Sequence, residues 1–306
     1  MGKHGRHGRV TGTAKNKGQA KMKKKIVKMR SDGGRTQLKH DRKAGIPSGR
    51  GISGSSCSGN GGAPKGMEYS ASQSILPLGE GDFSFAAALA IKFGECKNVV
   101  ATAFDDEATV DAKYTGAAEN VETVRSLGGE VLYSVDATRL SSSVSVRRAA
   151  SRCRFDRIVF NFPHTGSGIK DEARNIAANQ ALLRGLFSSV ATSGLLSGAG
   201  ELHLTLKRGR PYDAWQPVVL AKLAGWRVRN CVEFNAAKFV GYAHRRTIGD
   251  EHAGEGEVTS GKTYAFVPQT PREAVVEVQS ERGKILPTGQ TYKDAWKQRH
   301  KKARRP

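Results

Sequence analysis

Cysteine is scarce in this chain, with Cys57, Cys96, Cys153 and Cys231 spread over 306 residues. None forms a C-x-x-C pair or sits beside a histidine cluster, so neither a zinc site nor a disulfide framework is implied, and no metal is expected. Long apolar runs are also missing. Nothing approaches the length of a membrane span, and the N-terminus lacks the apolar core of a secretory signal, so no membrane partner is expected. Hydrophobic residues make up only 38% of the chain, which is low for a chain that folds throughout. Acidic residues are nearly absent from both ends. Residues 1–50 hold 16 Lys/Arg against 2 acids, and residues 281–306 hold 9 against 2.

What remains between the ends is balanced, 25 basic residues against 24 acidic, so the net charge of +22 belongs almost wholly to two tails. Charge segregated in this way suits a polyanion, because each Lys or Arg laid on a phosphate releases condensed counterions. Solubility alone does not call for charge at both ends. Residues 1–72 read as a disordered basic tail and Gly/Ser-rich linker, residues 73–268 as the folded domain, and residues 269–306 as a basic C-terminal tail. Lys23, Lys24 and Lys25 with their neighbours suggest nuclear or nucleolar targeting. An acid-poor basic N-terminus leaves a mitochondrial destination as the alternative.

The folded part alternates strand and helix. Strands are expected at residues 75–78, 99–104, 130–135, 155–160, 201–206, 227–234 and 263–267. Helices are expected at 83–93, 117–127, 171–190 and 215–224. This pattern predicts an α/β, Rossmann-like, doubly wound and mostly parallel sheet, with ligands outside the carboxyl ends of the strands. Pro77 is awkward there, since it cannot donate to a sheet ladder.

Polar residues collect where such a sheet binds its ligands. Leu78-Gly79-Glu80-Gly81-Asp82-Phe83-Ser84-Phe85 ends a strand in G-x-G and opens a helix, which brings backbone close to a nucleotide-type ligand. Ser84 stands where a dinucleotide fingerprint has its third glycine, and Glu80 and Asp82 are badly placed for a pyrophosphate. S-adenosylmethionine has no phosphate. Its ammonium can be received by an acid and its carboxylate by backbone N–H groups at a helix start. The expected cofactor is therefore S-adenosylmethionine rather than NAD, held by Gly79, Glu80, Gly81, Asp82, Phe83 and Ser84. Asp105 ends the second strand where a carboxylate grips ribose hydroxyls. Asp106 or Glu107 could take that part instead, or all three could cap the next helix. Asp136, after the third strand, is placed for an adenine amino group. Asn161-Phe162-Pro163-His164-Thr165-Gly166 follows the fourth strand. A polar residue before aromatic-Pro-aromatic resembles the pocket by which amino methyltransferases hold a planar N–H substrate, and Asn161 would also border the cofactor.

In order along residues 75–266, these motifs resemble the eukaryotic 25S rRNA (uridine-N3)-methyltransferase family. They are GEGDFSF, the run carrying Asp105, Asp106, Lys113, Tyr114, Ala117, Glu119 and Asn120, and VDAT at Val135–Thr138. NFPHTG, NQALLRGLF at Asn179–Phe187, PYDAW at Pro211–Trp215 and GYAHRRT at Gly241–Thr247 complete the set. The resemblance implies a class I methyltransferase fold, S-adenosylmethionine as donor and N3 of a large-subunit rRNA uridine as acceptor. The expected partner is rRNA or a pre-ribosomal particle, and the expected state is a monomer. Methyl transfer then requires alignment of two atoms and removal of the N3 proton. Asn161 would orient the base edge, and His164, which titrates near neutrality, would be the base or a stacking partner. His244, Arg245 and Arg246 are expected on RNA phosphate. The competing expectation is a ribosome-assembly factor that keeps the fold and binds RNA but transfers nothing.

Overall fold

Four apolar residues in a row need cover on both faces, and in the computed structural model strand β1, Ile75–Leu78, is buried at every position. The structure describes residues 67–245 and 261–269. Nearly all of both expected tails, the Lys23–Lys25 cluster and Arg246 lie outside the described residues.

Strand β1 pairs in parallel with β4, Phe155–Asn161, and β4 in parallel with β5, Leu196–Lys207. Strand β7, Gly261–Pro268, runs antiparallel to β5 and separates it from β6, Trp226–Phe234. On the other side of β1, a single parallel bridge from Ile75 to Val99 leads to β2, Val100–Thr102, which pairs in parallel with β3, Glu130–Leu132. The order across these seven strands is therefore β3-β2-β1-β4-β5-β7-β6, with β7 antiparallel to its neighbour β5. This is the mostly parallel α/β sheet expected from the sequence.

The thin β1–β2 seam explains Pro77. The Ile75 N–H donates to Asn98 on the β2 side, and N–H groups two residues apart point the same way. The donor that proline lacks would thus have faced β2, where only one bridge forms. The Thr102 hydroxyl instead donates to the Pro77 carbonyl at 3.0 Å.

Two apolar clusters cover the sheet, and residues alternate between them as a period of two requires. Leu76, Leu78, Ile158 and Phe160 pack with Leu183, Leu186 and Phe187 of helix α5, Glu172–Ser193. Ile75 and Val159 pack on the opposite side with helix α1, Ser84–Phe93, and helix α3, Ala117–Ser126. Tyr69 belongs to this second cluster although the sequence reading leaves it in the tail; its hydroxyl meets His203 Nδ1 at 2.9 Å.

Two helices are not foreseen by apolar period. Helix α2, Glu107–Lys113, buries only Val110, and α4, Val144–Arg152, buries only Val146 and Ala149. Their signal lies in the caps: Asp106 accepts from Thr109 N–H and Ser143 from Val146 N–H, each satisfying one otherwise unpaired helix donor. The helix expected at 215–224 is split into a 3-10 turn, Tyr212–Trp215, and α6, Pro217–Leu223. Among the described residues, no helix is long and apolar enough to cross a membrane.

Candidate active site

The carboxyl ends of β1, β2, β3 and β4 open onto one cleft of ≈ 710 Å³. Its floor is the loop that leaves β1. Gly79 has φ +59°, and a Cβ there would lie 2.5 Å from Phe160 Cε2, so glycine is required on both counts. Gly81 has an ordinary φ, but its Cβ would approach the Tyr114 ring to 3.0 Å.

The acids of this loop divide their work. Glu80 Oε2 accepts from Ala86 N–H at 3.1 Å, at the start of α1. Glu80 Oε1 is buried and has no partner among the described residues. Burial pushes the Glu80 carboxyl up to about 8; the Ala86 N–H opposes this and Asp82 adds to it. Asp82 accepts from Ser84 N–H at 3.0 Å and from Arg245 Nε at 2.7 Å in a nearly buried ion pair. This differs from the expectation in two ways. The carboxylate of Asp82 is already occupied by a guanidinium, and Arg245, expected on RNA, spends its charge on Asp82 and on the Thr115 carbonyl at 3.1 Å.

Ser84 also works structurally, since its hydroxyl donates to the Ala243 carbonyl at 3.0 Å and accepts from the Ala243 N–H at 3.1 Å. Together Ser84 and Asp82 clip the Gly241–Arg245 segment over the G-x-G loop. Asn120 Nδ2 donates to the Asp82 carbonyl at 2.8 Å, which ties α3 to the same loop. Phe83, expected at the cofactor, is fully buried in left-handed backbone, edge-on to Tyr133 and away from the cleft.

The three acids after β2 are separated by geometry. Asp106 caps α2, and that Thr109 contact holds its carboxyl below the usual range. Glu107 lies 3.5 Å from Arg125. Asp105 alone lines the cleft, with Oδ2 2.9 Å from Lys113 Nζ. Asp136 lines it as well, and its Oδ1 accepts from both the N–H and the hydroxyl of Thr138.

On the far wall, β4 ends at Asn161. Its Oδ1 accepts from the Thr205 hydroxyl at 2.7 Å, and Thr205 Oγ1 is 3.0 Å from Thr263 Oγ1. Among the described residues nothing accepts from Asn161 Nδ2. Phe162 turns back in left-handed backbone and packs edge-on against Phe234, with the His244 ring at 4.7 Å. His244, expected on RNA, is thus part of the cleft wall. His164 Nδ1 accepts from Gly166 N–H at 3.0 Å, which leaves the proton of the neutral ring on Nε2. Burial and then Lys207 lower its pKa. Buried Asn179 of α5 accepts from Thr165 N–H at 3.1 Å and so anchors the loop.

The cleft therefore brings together Gly79, Glu80, Gly81, Asp82, Ser84, Asp105, Asp136, Asn161, His164, His244 and Arg245. It excludes Phe83, and Arg246 lies outside the described residues. Sequence reading did not single out Thr205 or Gly185. Thr205 sits in a continuously buried stretch of β5, residues 200–206, where a polar residue between Leu204 and Leu206 is the available sign. A Cβ on Gly185 would lie 2.8 Å from Thr138.

A sheet ordered 3-2-1-4-5-7-6 with its seventh strand reversed, and a cleft over the first strand's glycine loop, define the class I methyltransferase fold. The family model described as rRNA (uridine-N3-)-methyltransferase BTM5-like matches residues 76–246. The chain belongs to that family. It is 34% identical over 205 residues to the uncharacterized protein At4g26485 of Arabidopsis thaliana, covering 65% of this chain and 94% of that one. It is 28% identical over 234 residues to the 25S rRNA (uridine(2634)-N(3))-methyltransferase of Saccharomyces cerevisiae, covering 61% and 70%. A TehB-like SAM-dependent methyltransferase from Corynebacterium glutamicum overlays with a TM-score of 0.37 at 15% identity, over 68% of this chain and 83% of that one.

Proposed function

We propose that this chain transfers a methyl group from S-adenosylmethionine to N3 of a uridine in large-subunit rRNA, acting on pre-ribosomal RNA in the nucleolus. The observation that carries the reading is the state of Asn161. With Oδ1 engaged by Thr205, its amide offers a donor, Nδ2, to the cleft. An exocyclic amine would want an acceptor. The imide N3–H of uridine lies between two carbonyls, and either carbonyl oxygen can accept from a donor placed beside it. The activity in the name of the yeast relative agrees with this. Because N3 is hidden by pairing in a helix, the uridine has to be unpaired or flipped out.

The residues present fit the cofactor. Gly79 and Gly81 give backbone access, Asp105 stands for the ribose hydroxyls and Asp136 for the adenine amino group. Glu80 offers an unpartnered buried oxygen to the ammonium. S-adenosylmethionine, when bound, supplies the methyl group as an electrophile. The chain's own part is to hold the uracil edge through Asn161, while the N3 proton is lost to solvent water as the N3–methyl bond forms and the methyl–sulfur bond breaks.

Glu80 gives a test that needs no turnover. Its carboxyl, held up to about 8, is protonated at pH 7, and a cation beside it favours the carboxylate. Binding of S-adenosylmethionine at pH 7 should therefore release up to about one proton, and affinity should strengthen as pH rises from about 5 to 7. Calorimetry in buffers of different ionisation heat reads this directly, and Glu80→Gln should abolish the release. A wild-type chain that binds without releasing protons would place the ammonium elsewhere.

The two expected roles of His164 can now be separated. Taking a proton at Nδ1 would break the Gly166 bond, and Nε2 already carries one. His164 is thus read as a neutral wall residue and not the base. A base works when neutral, so a catalytic histidine would give a rate that falls as pH drops through its pKa. Burial and Lys207 put any His164 inflection below the usual histidine range; single-turnover rates should show none there, and His164→Ala should cost less than Asn161→Ala. An inflection there that vanishes in His164→Ala would restore the ring as base.

A further inference from the structure

Residues 137–155, ATRLSSSVSVRRAASRCRF, contain five arginines, five serines and no acid. The flanking acids are used inward: Asp136 on Thr138, and Asp156 on Ser74 N–H and the Ser197 hydroxyl. The segment folds into a 3-10 turn, Leu140–Ser142, and helix α4. Val146 and Ala149 face the core, while Arg147, Arg148 and Ser151 stand exposed on the opposite face. Arg152 is paired with Glu130. Arg139, Arg147, Arg148 and Arg154 are exposed and have no acid partner among the described residues, and the same holds for Arg184 on α5.

This band of charge reaches the cleft. Arg139 follows Thr138, which lines the cleft, and Arg184 precedes Gly185, which packs against Thr138. We infer that the outer face of α4, with Arg139 and Arg184 at the cleft rim, is a docking surface for the RNA phosphate backbone; this rests on the proposed RNA substrate. The chemistry matches. All five cations are guanidiniums, whose forked donors suit phosphate oxygens. A lipid surface fits poorly, because Val144 is the one large apolar side chain exposed on α4.

The test compares the full-length chain with one carrying Arg139→Ala, Arg147→Ala, Arg148→Ala, Arg154→Ala and Arg184→Ala. The probe is a large-subunit rRNA fragment, titrated at several salt concentrations. Each lost phosphate contact should flatten the plot of log affinity against log salt by about 0.7 to 0.9, so a fall in slope of about 2 to 4 is expected. Affinity for S-adenosylmethionine, measured alongside, should stay at the wild-type value and shows that the variant is folded. A slope equal to wild type in a folded variant overturns the inference, whatever acidic protein the face then serves. A variant that no longer binds S-adenosylmethionine is replaced by the pair Arg147→Ala and Arg148→Ala, for which a slope loss below about 0.7 overturns it equally. If the wild-type chain methylates uridine while these slopes are unchanged, only this surface is wrong. If the wild-type chain does not bind the RNA, the proposed function fails with it.

Discussion

Asn161→Ala is expected to slow single-turnover methyl transfer by about 10²- to 10⁴-fold while leaving affinity for S-adenosylmethionine within about twofold of wild type. The side chain stands at the end of β4, and its amide is oriented from behind by Thr205. Removing the amide leaves the acceptor edge without its donor and leaves the G-x-G loop untouched. The orientation itself can be tested. Thr205→Val removes the hydroxyl that holds Oδ1, so the amide can rotate and present oxygen where nitrogen belongs. Its rate should fall in the same direction, and Thr205→Ser, which keeps the hydroxyl, should restore most of it. Single-turnover rates at saturating cofactor, with cofactor affinity measured separately, decide the matter. Wild-type rates in Asn161→Ala would mean that the acceptor pocket lies on another loop.

Gly81→Val should weaken S-adenosylmethionine binding by about 10- to 100-fold, the range that corresponds to the 1–3 kcal/mol of an overpacked site. The φ of Gly81 is not left-handed, so the backbone tolerates a side chain. The obstacle is space: a Cβ already meets Tyr114 Cζ at 3.0 Å and Cε1 at 3.1 Å. The valine methyl groups add to this, and Tyr114, itself a cleft residue, has to move. Gly79→Val is the less informative variant, because left-handed backbone and the 2.5 Å approach to Phe160 threaten the fold as well. Calorimetry on the full chain, with unfolding followed by circular dichroism, separates the two effects. Unchanged affinity in folded Gly81→Val would remove the G-x-G loop from the cofactor site.

The fold was legible where burial imposes a pattern. Ile75–Leu78 has no polar interruption, and Ala117–Ser126 lies within a residue of its expected span. Helices α2 and α4 were not legible as apolar patterns, since each buries one or two side chains and is announced only by Asp106 and Ser143 at its cap. In the site, loop position was readable and side-chain commitment was not. Asp82 and Arg245 are 163 residues apart and neutralise each other, which no local pattern reports. The place of Phe83 in the motif predicts a cofactor contact, but its ring is fully buried in the core, on left-handed backbone. Asp105 is told from Asp106 only by the geometry, which puts Asp106 on the helix cap and Asp105 on the cleft.

Methylation of uridine N3 in RNA is the activity expected of the cleft. Its most direct test is to incubate the full-length chain with large-subunit rRNA and S-adenosylmethionine carrying a labelled methyl group. The RNA is then digested to nucleosides and the label located by mass spectrometry. The expected product is labelled 3-methyluridine, made by the wild-type chain and reduced at least about 100-fold in Asn161→Ala. Label on an exocyclic amine or a ribose hydroxyl, or labelled 3-methyluridine formed equally by Asn161→Ala, would contradict it.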